Sequence, residues 1–450
     1  MLTLMSKSAG TKKELKTPVK RRNKGHVLAK PIPKGEHITD LKKSKWIIGS
    51  PIGQGGFGVI YSGFSESENT KKCEPPYVIK IEPHGNGPLF VEMHFYMKVG
   101  KKDDIEEWKK KHKVSHLGVP QLYGYGSHEY NSEKYRFLVI DRYGKDLWTV
   151  FTENDRRFPD ATVFKIALQV LDVLQYIHEK NYIHGDIKGS NLLIGASKDS
   201  ENQVYLVDYG LAERYSTKEF KPDKKRAHNG TIEYTSRDAH LGVPTRRGDL
   251  EILGFNMLQW IISYLPWEKD LKDPVKVQQQ KEEFMKNVTQ SLKKLKSSEA
   301  VPAALVEYLK YTTEIEHDQE PDYNHCRQLF KKGLKGCAET VKNKLVFRVG
   351  KNSAEKETPK KQSRVSKRKI ATRVSEADED EEEDEKEVPK KKKTVKEKTE
   401  VKAAENGSDT SSVKSWRDFP TVVAGRVGRA GEYKRKSADE EKPVRKGGKK

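Results

Sequence analysis

The chain has 450 residues, of which 34% are apolar and 34% charged, and its formal net charge is +21. The apolar share lies below the ~45–50% of ordinary globular domains and the charged share above their ~25%, so part of the chain cannot bury a core. Residues 1–45 carry 13 basic and 3 acidic side chains, residues 46–350 carry 45 and 42, and residues 351–450 carry 29 and 21. A near-neutral body with basic ends is the pattern of a globular unit that uses its ends to reach polyanions. Cys73, Cys326 and Cys337 are the only cysteines and none forms a CxxC pair. That excludes a disulfide framework and a structural zinc cluster and fits a reducing compartment.

In chain order, residues 1–43 are rich in Lys, Pro and Gly without periodicity and read as a disordered basic arm. Met1 to Lys24 contains no apolar run, so no secretory signal is expected. Order begins near Trp46, where Lys45 to Ile60 reads as strand, glycine turn, strand. Tyr77–Ile81 and Tyr135–Asp141 are further β-type runs. From Val163 the period becomes helical through Ile166, Ala167, Val170, Leu174 and Ile177. Val204–Asp208 reads as a buried strand, and helices are expected over 249–265, 277–295, 301–311 and 323–334. The longest apolar stretch, Phe255–Trp267, is interrupted by Asn256, Gln259, Ser263 and Pro266. It is too short and polar for a bilayer and reads as a core helix. Strands early and helices late predict an α+β fold of two unlike lobes over residues 44–345. Residues 346–450 read as a disordered mixed-charge tail, with an acidic block at 376–387 beside Lys390–Lys393.

Gly53-Gln54-Gly55-Gly56-Phe57-Gly58 fits GxGxxG, with Val59 and Ile60 after it. Alone this is a weak signal that a plain hairpin turn would explain. A dinucleotide fingerprint needs a helix after the glycines, and Val59-Ile60-Tyr61 favours a strand. A Walker loop needs Lys-Ser or Lys-Thr, which does not follow Gly58. The remaining reading is a loop over residues 52–60 whose backbone covers ATP phosphates, formed by Ile52, Gly53, Gln54, Gly55, Gly56, Phe57, Gly58, Val59 and Ile60. Lys80 lies on an apolar strand, where an ammonium needs a partner, and Glu92 is available to it.

His184-Gly185-Asp186-Ile187-Lys188-Gly189-Ser190-Asn191 is the most informative stretch. Phosphoryl transfer needs a carboxylate for the acceptor hydroxyl, a cation for the moving phosphoryl and an oxygen ligand for Mg²⁺. Asp186, Lys188 and Asn191 fit these in turn. Asp208-Tyr209-Gly210 follows a β-type run and places a hard carboxylate at a strand end, a suitable second Mg²⁺ ligand. Each element has a bland alternative. Their order and joint occurrence decide against it.

These residues resemble the eukaryotic protein kinase family over about 46–345. The stretches Gly230–His240, Arg246–Gly254 and Leu265-Pro266-Trp267 are similar to the casein kinase 1 group. Asn86–Phe90, Tyr135–Phe137, His184–Lys188 and Val204–Leu211 narrow the resemblance to the vaccinia-related kinases. The resemblance implies a bilobed fold, ATP and Mg²⁺ as cofactors, and a monomeric nuclear serine/threonine kinase without membrane contact. It implies histones and barrier-to-autointegration factor as substrates. The basic ends suggest contact with DNA or nucleosomes and nuclear import through Pro389–Lys393. Thr17 and Ser437 read as candidate phosphosites. Gly185 replaces the Arg that usually orders a phosphorylated activation loop, which predicts that no such phosphate is required. Two other readings remain open: a pseudokinase scaffold, and a chromatin-binding module acting through its ends. The intact set Lys80, Glu92, Asp186, Asn191 and Asp208 disfavours the first.

Overall fold

The computed structural model describes residues 29–55, 58–68, 74–215, 219–295, 297, 300–337 and 344–348. Thr17, Gly56, Phe57, Cys73, the acidic block 376–387, Lys390–Lys393 and Ser437 lie outside these residues.

Residues 29–141 build a six-stranded antiparallel sheet and two helices. The strands are β1 (His37–Thr39), β2 (Lys45–Gln54), β3 (Val59–Ser65), β4 (Tyr77–Pro83), β5 (Leu122–Tyr130) and β6 (Glu133–Asp141), in the order β1-β2-β3-β4-β6-β5. Alternation along β4 sends Ile79 and Ile81 into a core with Ile48, Tyr61, Phe137 and Val139. The same alternation turns Lys80 and Glu82 to the other face. There α1 (Pro88–Val99) packs, with Leu89 and Phe95 against a second core that includes Leu138 and Ile140. α2 (Lys102–His112) follows, anchored by Ile105 and Trp108.

The folded body starts earlier than the composition suggests. Ala29 and Ile32 are buried, the Ile32 amide donates to the Tyr61 hydroxyl at 2.8 Å, and β1 pairs with β2. A few apolar residues spaced among lysines and prolines carry no period, yet they suffice to cover one face of the sheet.

The second lobe is mostly helical: α3 (Leu147–Glu153), α4 (Asp160–Glu179), α5 (Arg237–His240), α6 (Arg246–Ile262), α7 (Pro274–Lys286), α8 (Val288–Lys293), α9 (Ala303–Glu314) and α10 (Tyr323–Lys335). Two small antiparallel pairs carry its loops, β7 (Tyr182–Ile183) with β10 (Glu213–Arg214) and β8 (Leu192–Ile194) with β9 (Val204–Leu206). α6 is the expected core helix, buried on all sides, and it closes at Ser263 in a left-handed conformation before Pro266. No helix among the described residues is long and apolar enough to cross a membrane. The single helix expected over 277–295 is two. Asn287 leaves helical geometry and its side chain accepts from the Gln290 amide, capping α8. Leu345 is buried and Phe347 meets the Phe158 ring, so packing extends to the end of the described residues.

The N-terminus of α1 has no cap of its own, because its N-cap is Gly87 and Pro88 follows. Glu82 supplies one from the neighbouring strand: its Oε2 accepts from the Leu89 amide at 3.0 Å. Its Oε1 has no hydrogen-bond partner among the described residues. Burial, opposed by Lys80 and the Leu89 amide, pushes this carboxyl from the ordinary 4.5 to about 7. The folded chain therefore keeps a proton that the unfolded chain releases near pH 4.5. The stability this contributes is full below about pH 4.5 and is lost as pH rises through about 7. Glu82→Gln keeps the acceptor and removes the ionisation. Its thermal midpoint is expected to match wild type at pH 5 and to exceed it by several degrees at pH 8. A midpoint difference that does not change with pH would contradict this.

Candidate active site

The glycine turn joins β2 to β3, as expected. Ile52, Gly53 and Gln54 end β2, Gly55 follows it, and Val59 and Ile60 open β3. Gly58 could carry no side chain: a Cβ there would fall 2.1 Å from the Ile81 carbonyl oxygen and 2.6 Å from the Glu82 side chain. Glycine lets the backbone at residue 58 come this close to the strand that bears Lys80.

The Lys80 Nζ lies 2.5 Å from Glu92 Oε2 and 2.9 Å from Asp208 Oδ1. The expected ion pair with Glu92 is present, and Asp208 joins it from the other lobe. Burial works to lower the Lys80 pKa, but Asp208, Glu92 and Glu82 outweigh it and raise it. The ammonium is therefore charged at neutral pH. Asp208 sits at φ 65°, a left-handed conformation that Asp tolerates better than most residues and that turns the chain sharply after β9. Its side chain keeps 24% of its surface exposed, enough to reach a ligand in the cleft.

The loop between β7 and β8 is tightly bonded. Lys188 Nζ donates to Asp186 Oδ2 at 2.9 Å and to the Thr231 hydroxyl at 2.7 Å, and that hydroxyl donates to Asp186 Oδ1 at 2.7 Å. The Asn191 amide nitrogen donates to the Asp186 carbonyl at 2.8 Å, which leaves its oxygen as the acceptor end. The Val207 amide donates to the Asn191 carbonyl at 2.9 Å, tying this loop to the residue before Asp208.

Three contributors escaped the sequence reading. Thr231 completes the Asp186–Lys188 triangle but is one hydroxyl among many in sequence. His184 is buried and held neutral by its burial. Its Nδ1 accepts from the Asp186 amide at 3.1 Å and its Nε2 donates to the Val207 carbonyl at 3.2 Å. Asp249 of α6, fully buried, accepts from the His184 amide and the Gly185 amide, each at 2.8 Å, and from His178 Nε2 at 3.0 Å. A carboxylate in the first turn of the helix, just ahead of its apolar run, was the available signal for Asp249. Tyr209 is buried and stacks on Phe95 of α1 with centroids 3.8 Å apart, and it meets the His184 ring at 4.8 Å. A column of rings thus joins α1 to the loop anchored by Asp249.

Gly185 has φ 73°, where a glycine is unstrained. It lines a cavity of about 40 Å³ with Glu213, Arg226 and Asn229. Arg226 is ion-paired with Glu213. The cation nearest this position therefore already has a carboxylate.

The residues present suit a magnesium nucleotide: a glycine turn in which Gly58 admits no Cβ, a charged lysine, a part-exposed carboxylate and an amide oxygen. Comparison with known proteins agrees. The protein kinase domain family matches residues 46–335. Nucleosomal histone kinase 1 of Drosophila melanogaster is 47% identical over 331 residues, which cover 73% of this chain and 54% of that protein. Serine/threonine-protein kinase VRK2 of Homo sapiens is 40% identical over 314 residues, covering 69% and 61%. The chain thus spans between half and two thirds of the length of these curated relatives. The solved structure of vaccinia related kinase 3 matches with a TM-score of 0.60 at 25% identity, covering 68% of this chain and 93% of that one. The chain belongs to the protein kinase family and, within it, to the vaccinia-related kinases.

Proposed function

We propose that this chain is an active serine/threonine kinase that transfers the γ-phosphoryl group of ATP to hydroxyls of chromatin proteins. The observation that carries the reading is the joint geometry of the cleft: Lys80 paired with both Glu92 and Asp208, and Asp186 held by Lys188 and Thr231. A scaffold that had lost catalysis would have no need of both sets.

In this reading the turn over residues 52–60 covers the triphosphate, and Lys80, oriented by Glu92, holds its α- and β-phosphates. Asp208 and the Asn191 oxygen hold Mg²⁺, which when bound neutralises charge on the phosphates. The Asp186 carboxylate accepts the hydroxyl proton of the substrate. Thr231 and Lys188, with the Asn191 side-chain nitrogen at 3.4 Å, hold its two oxygens and fix its plane. Lys188 also offsets charge on the phosphoryl group in flight.

The name of the Drosophila relative supports a nucleosomal histone as acceptor and the nucleus as the place of action. Barrier-to-autointegration factor is a second candidate by family resemblance. The lysine runs of residues 351–450 would serve nuclear import and contact with DNA or nucleosomes.

The test is transfer of radiolabelled phosphate from ATP to nucleosomes and to free histones, with Asp186→Ala as control. Wild type should label serine or threonine of a histone, and Asp186→Ala should be slower by about 10²–10³. A silent wild type, or an Asp186→Ala chain with near-normal turnover, would refute the reading. A second prediction concerns Thr231→Val, which removes the hydroxyl but little volume. It should lower kcat about tenfold and leave the KM for ATP unchanged, because it touches Asp186 and not the nucleotide set.

A further inference from the structure

One lysine of the helical lobe is buried in an unusual way. Lys281, on α7, has no exposed surface. No carboxylate forms an ion pair with it among the described residues. Its Nζ instead donates to the Ile232 carbonyl and to the Thr235 carbonyl, each at 2.7 Å, and reaches His240 Nε2 at 3.3 Å. Two of these partners are carbonyl oxygens, which can only accept, and the third is a ring nitrogen, so the Lys281 nitrogen is surrounded by polar partners. The Phe255 and Trp267 rings lie 5.4 and 5.2 Å from the same nitrogen. Burial holds the Lys281 pKa well below the usual lysine range, opposed by Glu251 and Glu233.

A group so costly to bury needs an account. What Lys281 grips is the segment that follows the catalytic hydroxyl. Thr231 orients Asp186, and the next residue, Ile232, gives its carbonyl to Lys281. The residues between are pinned as well. Trp267 donates to the Glu233 carbonyl at 2.7 Å, and the Tyr234 hydroxyl donates to Gln259 at 2.6 Å. Residues 231–235 thus form a shelf beside Asp186, bonded from beneath by α6, α7 and Trp267. Its first residue, Thr231, bonds the carboxylate of Asp186, so the segment borders the group that an acceptor hydroxyl would have to reach.

We propose that Lys281 is a positioning residue for phosphoryl transfer: it sets the backbone of residues 232–235 as the seat of the acceptor segment and, through Ile232, the Thr231 hydroxyl that orients Asp186. The proposal rests on the kinase reading above. The nucleotide set is bonded among its own members, Lys80 to Glu92 and to Asp208, whereas Lys281 bonds the backbone of residues 232 and 235. Loss of Lys281 therefore acts on the acceptor and on turnover, and spares ATP.

The experiment uses the full chain with free core histones and magnesium ATP, comparing wild type, Lys281→Met and Lys281→Arg. Thermal midpoints are measured alongside. Lys281→Met, similar in length and without donors, should lower kcat about tenfold and raise the histone KM severalfold, with the KM for ATP within about twofold of wild type. Lys281→Arg keeps a cation but cannot seat its planar group on the same three partners, so it should shift the same two constants less. Should Lys281→Met fail to fold, the arginine chain carries the test by the same criteria. A folded variant with wild-type kcat and histone KM would overturn the proposal, as would a KM for ATP that rises in step with that for histone. A silent wild type overturns the kinase reading and this inference together. An active wild type with unchanged variants overturns this inference alone.

Discussion

The ammonium of Lys80, held between Glu92 and Asp208, is the contact on which the rest of the cleft depends. It joins a strand of the sheet, the helix packed on that sheet and the segment after β9 of the other lobe. A part-buried ammonium with two carboxylates is held only while all three elements keep their places, and removing one partner leaves a charge less well compensated. The contact therefore acts as a lock on the relative position of α1 and Asp208. Two further contacts fix α1 from either end. Glu82 holds its first turn and the stack of Phe95 on Tyr209 holds its second half.

From Tyr209 the same constraint passes to the loop that carries Asp186. His184 touches the Tyr209 ring, bonds the Asp186 amide and the Val207 carbonyl, and rests on Asp249 through its own amide. One fully buried carboxylate at the start of α6 thus orders the backbone on which the catalytic groups stand. On the far side of that loop, Gly185 leaves space where a long side chain would sit, and Arg226 is already neutralised by Glu213.

Much of this was legible in the sequence, because polar groups on apolar elements stand out. Lys80 on a β-type run, Asp208 at a strand end and the His184–Asn191 loop between helix and strand all have local signatures, and the structure brings them together. The long helices α4 and α6 were legible because their apolar periods are dense. α2 was not: Ile105 and Trp108 are its only buried residues amid charged neighbours, too few to set a period. Thr231 and Lys281 were invisible for a different reason. Their meaning comes from contacts across 45 residues to Asp186 and across 49 residues to Ile232. No local pattern encodes such a pairing. Residues 29–43 join the sheet core through only three apolar side chains, Ala29, Ile32 and Ile38, too few among lysines and prolines to set a period.

The most direct test is a crystal structure of the chain with magnesium and a non-hydrolysable ATP analogue. The account predicts the triphosphate beneath the turn at residues 52–60, its α- and β-phosphate oxygens within hydrogen-bond reach of Lys80 Nζ. It predicts Mg²⁺ bound by Asp208 and by the Asn191 side-chain oxygen, with Asp186 facing the γ-phosphate. A nucleotide seated elsewhere, or phosphates bound there without Lys80 and Asp208, would contradict it.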